Sequence, residues 1–198
     1  PFARLLEVAK RRIAAVPNIT LAYLDSIIST SGATVRVMDL RRIDKLEHAD
    51  LYLIASSIVD CNFEREVAIE AKRRYGCKVG VFGTFASAVP EFYLDSVDFV
   101  VQGEIENLAP ALARGDLPEG IVAAGFVENL DDLPYPAEEG TGVGAVEGAV
   151  VEREAKVPDG RDPQRVGLVG DNLLRNTVGR ENADLGPVED GQRDPCSR

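Results

Sequence analysis

The chain is 198 residues long, 45% apolar and carries a net charge of −11. That suffices for one domain with a full hydrophobic core, and it is the wrong sign for a nucleic-acid partner, whose binding rests on Lys and Arg displacing condensed counterions. The longest apolar runs, such as Val79–Phe82 and Phe99–Val101, fall far short of the roughly 18 residues that cross a bilayer, so no membrane partner is expected.

In chain order, Pro1-Phe2-Ala3-Arg4 opens without the charged and apolar segments of a secretory signal. Arg4-Leu5-Leu6-Glu7-Val8 fits either a strand or, with Leu5, Val8, Ala9 and Ile13, a helical stripe. The strand is favoured on topology, because the first strand of a flavodoxin-like sheet of order 2-1-3-4-5 lies centrally. A loop carrying the solvated basic patch Lys10-Arg11-Arg12 then runs to Pro17. A helix is expected over Leu21–Ser31, a β-branched strand over Thr34–Leu40, and a strand buried on both faces over Asp50–Ser56. The next helix, Phe63–Tyr75, has Phe63, Val67, Ile69 and Ala71 for its apolar face and Glu64, Arg65, Lys72 and Arg73 for its polar one. Strands Lys78–Phe82 and Asp98–Gln102 flank a helix at Pro90–Ser96. Gly32 and Gly76 stand where helix C-caps belong, since glycine accepts positive φ without steric cost.

The expected fold is therefore α/β, doubly wound and flavodoxin-like or Rossmann-like, a mostly parallel five-stranded sheet with flanking helices. All twelve aromatic residues lie at or before Tyr135 and no isoleucine follows Ile121, whereas Glu138–Arg198 holds ten glycines, thirteen acidic and eight basic residues. That segment buries little apolar surface against its conformational entropy. The division expected is an α/β domain over residues 1–126, a linker over 127–137 and a largely disordered C-terminal tail over 138–198.

Four stretches carry a resemblance. Pro17-Asn18-Ile19-Thr20-Leu21-Ala22-Tyr23-Leu24 leads into a helix. Ala55-Ser56-Ser57 ends a buried strand. Phe82-Gly83-Thr84-Phe85-Ala86-Ser87-Ala88-Val89-Pro90-Glu91 follows another, and Val100-Val101-Gln102-Gly103-Glu104-Ile105-Glu106 precedes Asn129-Leu130-Asp131-Asp132-Leu133-Pro134-Tyr135-Pro136-Ala137. Their order and spacing, over about residues 4–137, resemble the amino-terminal cobalamin (B12)-binding domain of B12-dependent radical SAM enzymes. Thr20, Phe82 and Phe85 depart from the family's glycine, glycine and histidine. The resemblance implies cobalamin as cofactor, with Ser56, Ser57, Gly83, Thr84, Phe85, Gly103 and Glu104 at its site. It also implies a radical SAM domain or protein as partner, in methyl transfer or a related radical reaction.

The family's Cys-x-x-x-Cys-x-x-Cys cluster, which follows that last run, is missing from this sequence. Three such thiolates are needed to hold a four-iron cluster that chelates S-adenosylmethionine, so neither group has a site here and no catalytic residue is assigned. Cys61, Cys77, Cys196 and the single His48 are too few and too scattered for zinc and suit a reducing, cytoplasmic setting. His48 reads as a surface histidine rather than a cobalt ligand. Glu104 and Glu106 read as solvent-facing carboxylates rather than an acid–base pair. Cys61 reads as a redox thiol or a half-buried spectator with equal ease. Gly140-Thr141-Gly142-Val143-Gly144 lacks the flanking strand and helix of a dinucleotide loop. The competing readings are a flavodoxin-like interaction or regulatory domain, and a truncated gene product with no cofactor. A phosphorelay receiver is disfavoured, since no acidic pair follows the first strand and no lysine the last.

Overall fold

The structure, a computed structural model, describes residues 19–39, 43–136, 151–153 and 162–170. Helix α1 (Ile19–Thr30) leads to β1 (Thr34–Asp39), β2 (Leu51–Ala55), α2 (Cys61–Tyr75), β3 (Lys78–Phe82) and the short α3 (Thr84–Ala88). Then come β4 (Phe99–Gly103), α4 (Ala109–Ala113), β5 (Gly120–Gly125), β6 (Val151–Arg153) and β7 (Arg165–Gly170). The seven strands form one sheet in the order β5-β4-β3-β2-β7-β1-β6. Six run parallel, and β6 adds an antiparallel edge beside β1. The fold is thus α/β, doubly wound and flavodoxin-like, with six parallel strands rather than five.

Alternation along the strands divides the core into two layers. In β2, Tyr52 and Ile54 point into the layer closed by Val67, Ala68 and Ala71 of α2. Leu51 and Leu53 point into the opposite layer, closed by Leu24, Ile27 and Ile28 of α1 and Leu112 of α4. Both layers exclude water, which is why β2 reads as a continuous apolar run. Gly76 ends α2 in the left-handed conformation (φ 63°), its N–H donating to the Lys72 carbonyl. Gly32 also has positive φ, 96°. Both follow from glycine's missing Cβ.

The expected central strand Arg4–Val8 lies outside the described residues. The central place is held by β7, from the segment expected to be disordered: β7 pairs in parallel with β1 on one side and β2 on the other. Val166, Leu168 and Val169 are fully buried there. The slot's chemistry explains the choice. Val166-Gly167-Leu168-Val169 has no charge, and at Gly167 a Cβ would come within 2.5 Å of the Met38 methyl and 3.2 Å of the Tyr52 ring. The start of β7 is clamped by Asp50, whose N–H donates to the Arg165 carbonyl (2.9 Å) and whose carboxylate accepts from the Arg165 N–H (2.8 Å).

Three further expectations are corrected. On α2 the faces are set differently: Ile69 is exposed while Glu64 is completely buried. Pro90–Ser96 is not an α-helix but a single 3-10 turn at Pro90–Tyr93; proline fixes only where it starts, holding Val89 before it at φ −137°, outside helical geometry. Strand β5, Gly-Ile-Val-Ala-Ala-Gly, and helix α4 were not expected.

Candidate functional site

Ligands of open α/β sheets bind beyond the carboxyl ends of the strands, and the sequence candidates gather at that edge, over β2, β3 and β4. The Ser56 N–H donates to the Phe82 carbonyl (2.7 Å), extending the β2–β3 ladder by one residue. Its hydroxyl oxygen accepts from the Ala86 N–H (2.9 Å) in the first turn of α3. Gly83 turns the chain at φ 112°, ψ −176°, a region glycine alone occupies readily, and a Cβ there would stand 3.1 Å from the Ser56 carbonyl oxygen and Oγ. Ser87, at the far end of α3, accepts from the Gly103 N–H through its hydroxyl (3.1 Å) and from Gln102 Nε2 through its carbonyl (3.1 Å). Stretches separated by 30 and 16 residues in sequence are thereby stitched into one edge.

The two phenylalanines that depart from the family pattern lie away from this edge. Phe82 is buried in the α1 layer with Leu21 and Phe99. Phe85 turns into the α2 layer and packs edge-to-face on Phe92 (5.7 Å) and Tyr93 (6.1 Å), the geometry favoured by the ring quadrupole. Thr84 is exposed at the start of α3.

Gly103 and Glu104 serve the sheet. Gly103 has φ 95°, and a Cβ there would approach the Gly125 carbonyl oxygen to 2.4 Å. The Glu104 N–H donates to that same carbonyl (2.9 Å), and its carboxylate accepts from the Val127 N–H. Glu104 therefore fastens the end of β5 to β4. Burial, with Glu104's charge nearby, moves Glu106 above the usual carboxylate range. Beyond β5, Phe126, Leu130 and Tyr135 are 79%, 67% and 94% exposed.

Beneath the edge lies a group that reasoning from the sequence placed on the wrong face. The Glu64 carboxyl accepts from the Ser57 N–H (2.6 Å) and, through its other oxygen, from the Tyr93 hydroxyl. Burial pushes its pKa from 4.5 up to about 7, against the opposing pull of these hydrogen bonds. Tyr93 is raised far above the usual phenol range by burial and by Glu64. Ser57 also accepts from the Asp60 N–H (3.1 Å), so the loop after β2 is held at both ends. The adjoining Ile58 and Val59 are 59% and 67% exposed.

The remaining candidates are elsewhere. His48 is exposed, with its Nδ1 3.3 Å from Arg165 Nη1 and its ring edge-on to Tyr75 at 5.6 Å. The buried Cys77 thiol is pushed up to about 11 by desolvation, which makes it a poor nucleophile, and Cys61 is buried at the first position of α2. Among the described residues no three His, Cys, Asp or Glu side chains are grouped to hold a metal ion, and no helix is long and apolar enough to cross a membrane. No protein-family model matches the chain, and neither a curated protein nor a solved structure matches it.

Proposed function

We propose that this chain is a corrinoid-binding domain, presenting cobalamin at the carboxyl edge of β2–β4 to a radical SAM domain or protein in the cytoplasm. The observation that supports the reading best is the convergence of three separated stretches on one edge from which both bulky rings, Phe82 and Phe85, are withdrawn. That geometry fits a large planar ligand. Thr84, exposed at the rim, and the loop Ser56–Asp60 would line it, while Gly83 and Gly103 allow the close backbone turns. When bound, cobalamin would supply a cobalt centre that carries a methyl group or changes oxidation state. This chain's own residues bind and orient it.

One observation favours a second reading, a flavodoxin-like interaction domain without cofactor: the Ser56 and Ser57 hydroxyl oxygens are both taken by backbone N–H donors, Ala86 of α3 and Asp60 of the same loop. The test is gel filtration of the protein mixed with hydroxocobalamin, followed by the visible spectrum of the protein peak. Substituting Gly83 or Gly103 would strain the backbone whether or not a ligand binds, so the blocking variant is Thr84→Trp, at an exposed site with ordinary geometry. Corrin absorbance that coelutes with the wild type and is lost in Thr84→Trp supports the domain and its edge. Absence of corrin from a folded sample leaves the interaction domain.

A further inference from the structure

Strand β5 ends the sheet, with β4 on one side and no strand among the described residues on the other. The Gly120 N–H donates to the Asp98 carbonyl, just before β4 (2.9 Å). Backbone groups alternate in direction along a strand, so Gly120 and Val122 turn theirs to β4 while Ile121 and Ala123 turn theirs outward. The far end of the strand is fastened separately: the Ala124 carbonyl accepts from Asn107 Nδ2 (3.0 Å), and that of Gly125 accepts from the Glu104 N–H (2.9 Å). Open edges are commonly blunted by lysine, proline or an inward charge, and Gly120–Gly125 contains none of these. Val122 and Ala124 pack on the α1 layer, whereas Ile121 is 41% exposed on the opposite face.

The chain around this edge carries one sign of charge. From Asp116 to Pro136 the acidic residues are Asp116, Glu119, Glu128, Asp131 and Asp132, with no Lys or Arg among them, and all are exposed. Asp116 lies 3.9 Å from Arg114. Glu119 lies 3.7 Å from Lys78, a lysine that is also 3.2 Å from Asp98. Among the described residues Glu128, Asp131 and Asp132 have no basic partner. The apolar Phe126, Leu130 and Tyr135 are exposed along the same stretch. We propose that the outer edge of β5 docks a partner protein through an extended segment of alternating basic and apolar residues, which joins the sheet as a further strand. Ile121 and Ala123 supply the backbone hydrogen bonds, and the acidic flanks select the charge. A second copy of this chain fits less well, since the same acidic flanks meet across the two-fold axis and like charges opposite one another destabilise paired strands. The docking stands without a corrinoid, because neither Ile121 nor Ala123 belongs to the edge assigned to that ligand.

The test uses the full chain and a fluorescein-labelled peptide, Lys-Val-Arg-Val-Lys-Val-Arg, followed by fluorescence anisotropy and amide hydrogen exchange. Binding is expected to protect the Ile121 and Ala123 amides and to leave Val122, already bonded to β4, unchanged. A peptide of the same charge with proline in place of each valine cannot pair as a strand and is expected to bind about tenfold more weakly. Ala123→Pro removes an outward N–H and leaves the β4 ladder intact, so it should weaken the first peptide by about tenfold as well. Glu128→Lys combined with Asp131→Lys and Asp132→Lys should weaken it and flatten its salt dependence. No binding, equal binding of the two peptides, full binding to Ala123→Pro, or binding that leaves Ile121 and Ala123 unprotected would each overturn the proposal. So would a monomer whose Ile121 and Ala123 amides are protected without peptide, since the chain then covers its own edge. A dimer in sedimentation that Ala123→Pro dissociates would overturn it too, since a second copy then holds the edge. Should Ala123→Pro fail to fold, the alternating protection in the wild type decides.

Discussion

Leu168→Ala tests the placement of β7 most directly. Leu168 is fully buried, paired with Val37 on β1 and Leu53 on β2, and packed in the α1 layer. Truncating a leucine at such a site removes its transfer free energy and leaves a cavity that strands fixed on both sides cannot close, a loss of about 3–4 kcal/mol. Against an m-value of about 2 kcal/mol/M for a domain of this size, the urea midpoint followed by far-ultraviolet circular dichroism should fall by about 1.5–2 M. The comparison is Phe126→Ala, which removes a larger side chain that is 79% exposed and should change stability by less than about 0.5 kcal/mol. If the two variants unfold at the same urea concentration, β7 is not in the sheet and the central slot must be filled otherwise.

Two further substitutions probe the same framework. Asp50→Ala removes the carboxylate that accepts from the Arg165 N–H; a loss of about 1–2 kcal/mol is expected, together with faster amide exchange at Arg165, and an unchanged exchange rate there would refute the clamp. Gly80→Ala brings a Cβ to 2.2 Å from the buried Phe99 ring; with the ring enclosed between layers, overpacking should destabilise by about 1–3 kcal/mol, and a neutral thermal melt would contradict the β3–β4 packing.

What could be read from the sequence follows from where a local pattern carried its own explanation. Strands β1 to β4 show as β-branched or apolar runs because each is sealed within a short stretch of chain, and Gly32 and Gly76 mark helix ends because positive φ is a property of one residue. The gathering of Ser56, Gly83 and Gly103 at one edge follows from their positions after parallel strands. Glu64 could not be found this way: its burial depends on Tyr93, 29 residues further on, and periodicity alone assigns an acidic residue to the wet face. Strand β7 was hidden because composition averaged over the tail dilutes a six-residue run, and β5 because its alanines and glycines have little intrinsic preference for strand. Thr84 and Phe85 occupy neighbouring positions of one motif but face different surroundings, a difference set by the aromatic cluster around Phe92 and Tyr93.

The position of β7 also orders events during synthesis. Its clamp joins residues 115 apart in sequence, and its neighbours β1 and β2 are made long before it. Until Gly170 has left the ribosome, the strands that will flank β7 expose facing edges to one another and to any other extended segment. Pairing across so many residues is slow because loop closure precedes the reward, and unpaired parallel edges are the species on which misassembly begins. From the synthesis of β2 until that of β7, β1 therefore stands unjoined from the β2–β5 side of the sheet, and yield in the cell should depend on how well that interval is chaperoned.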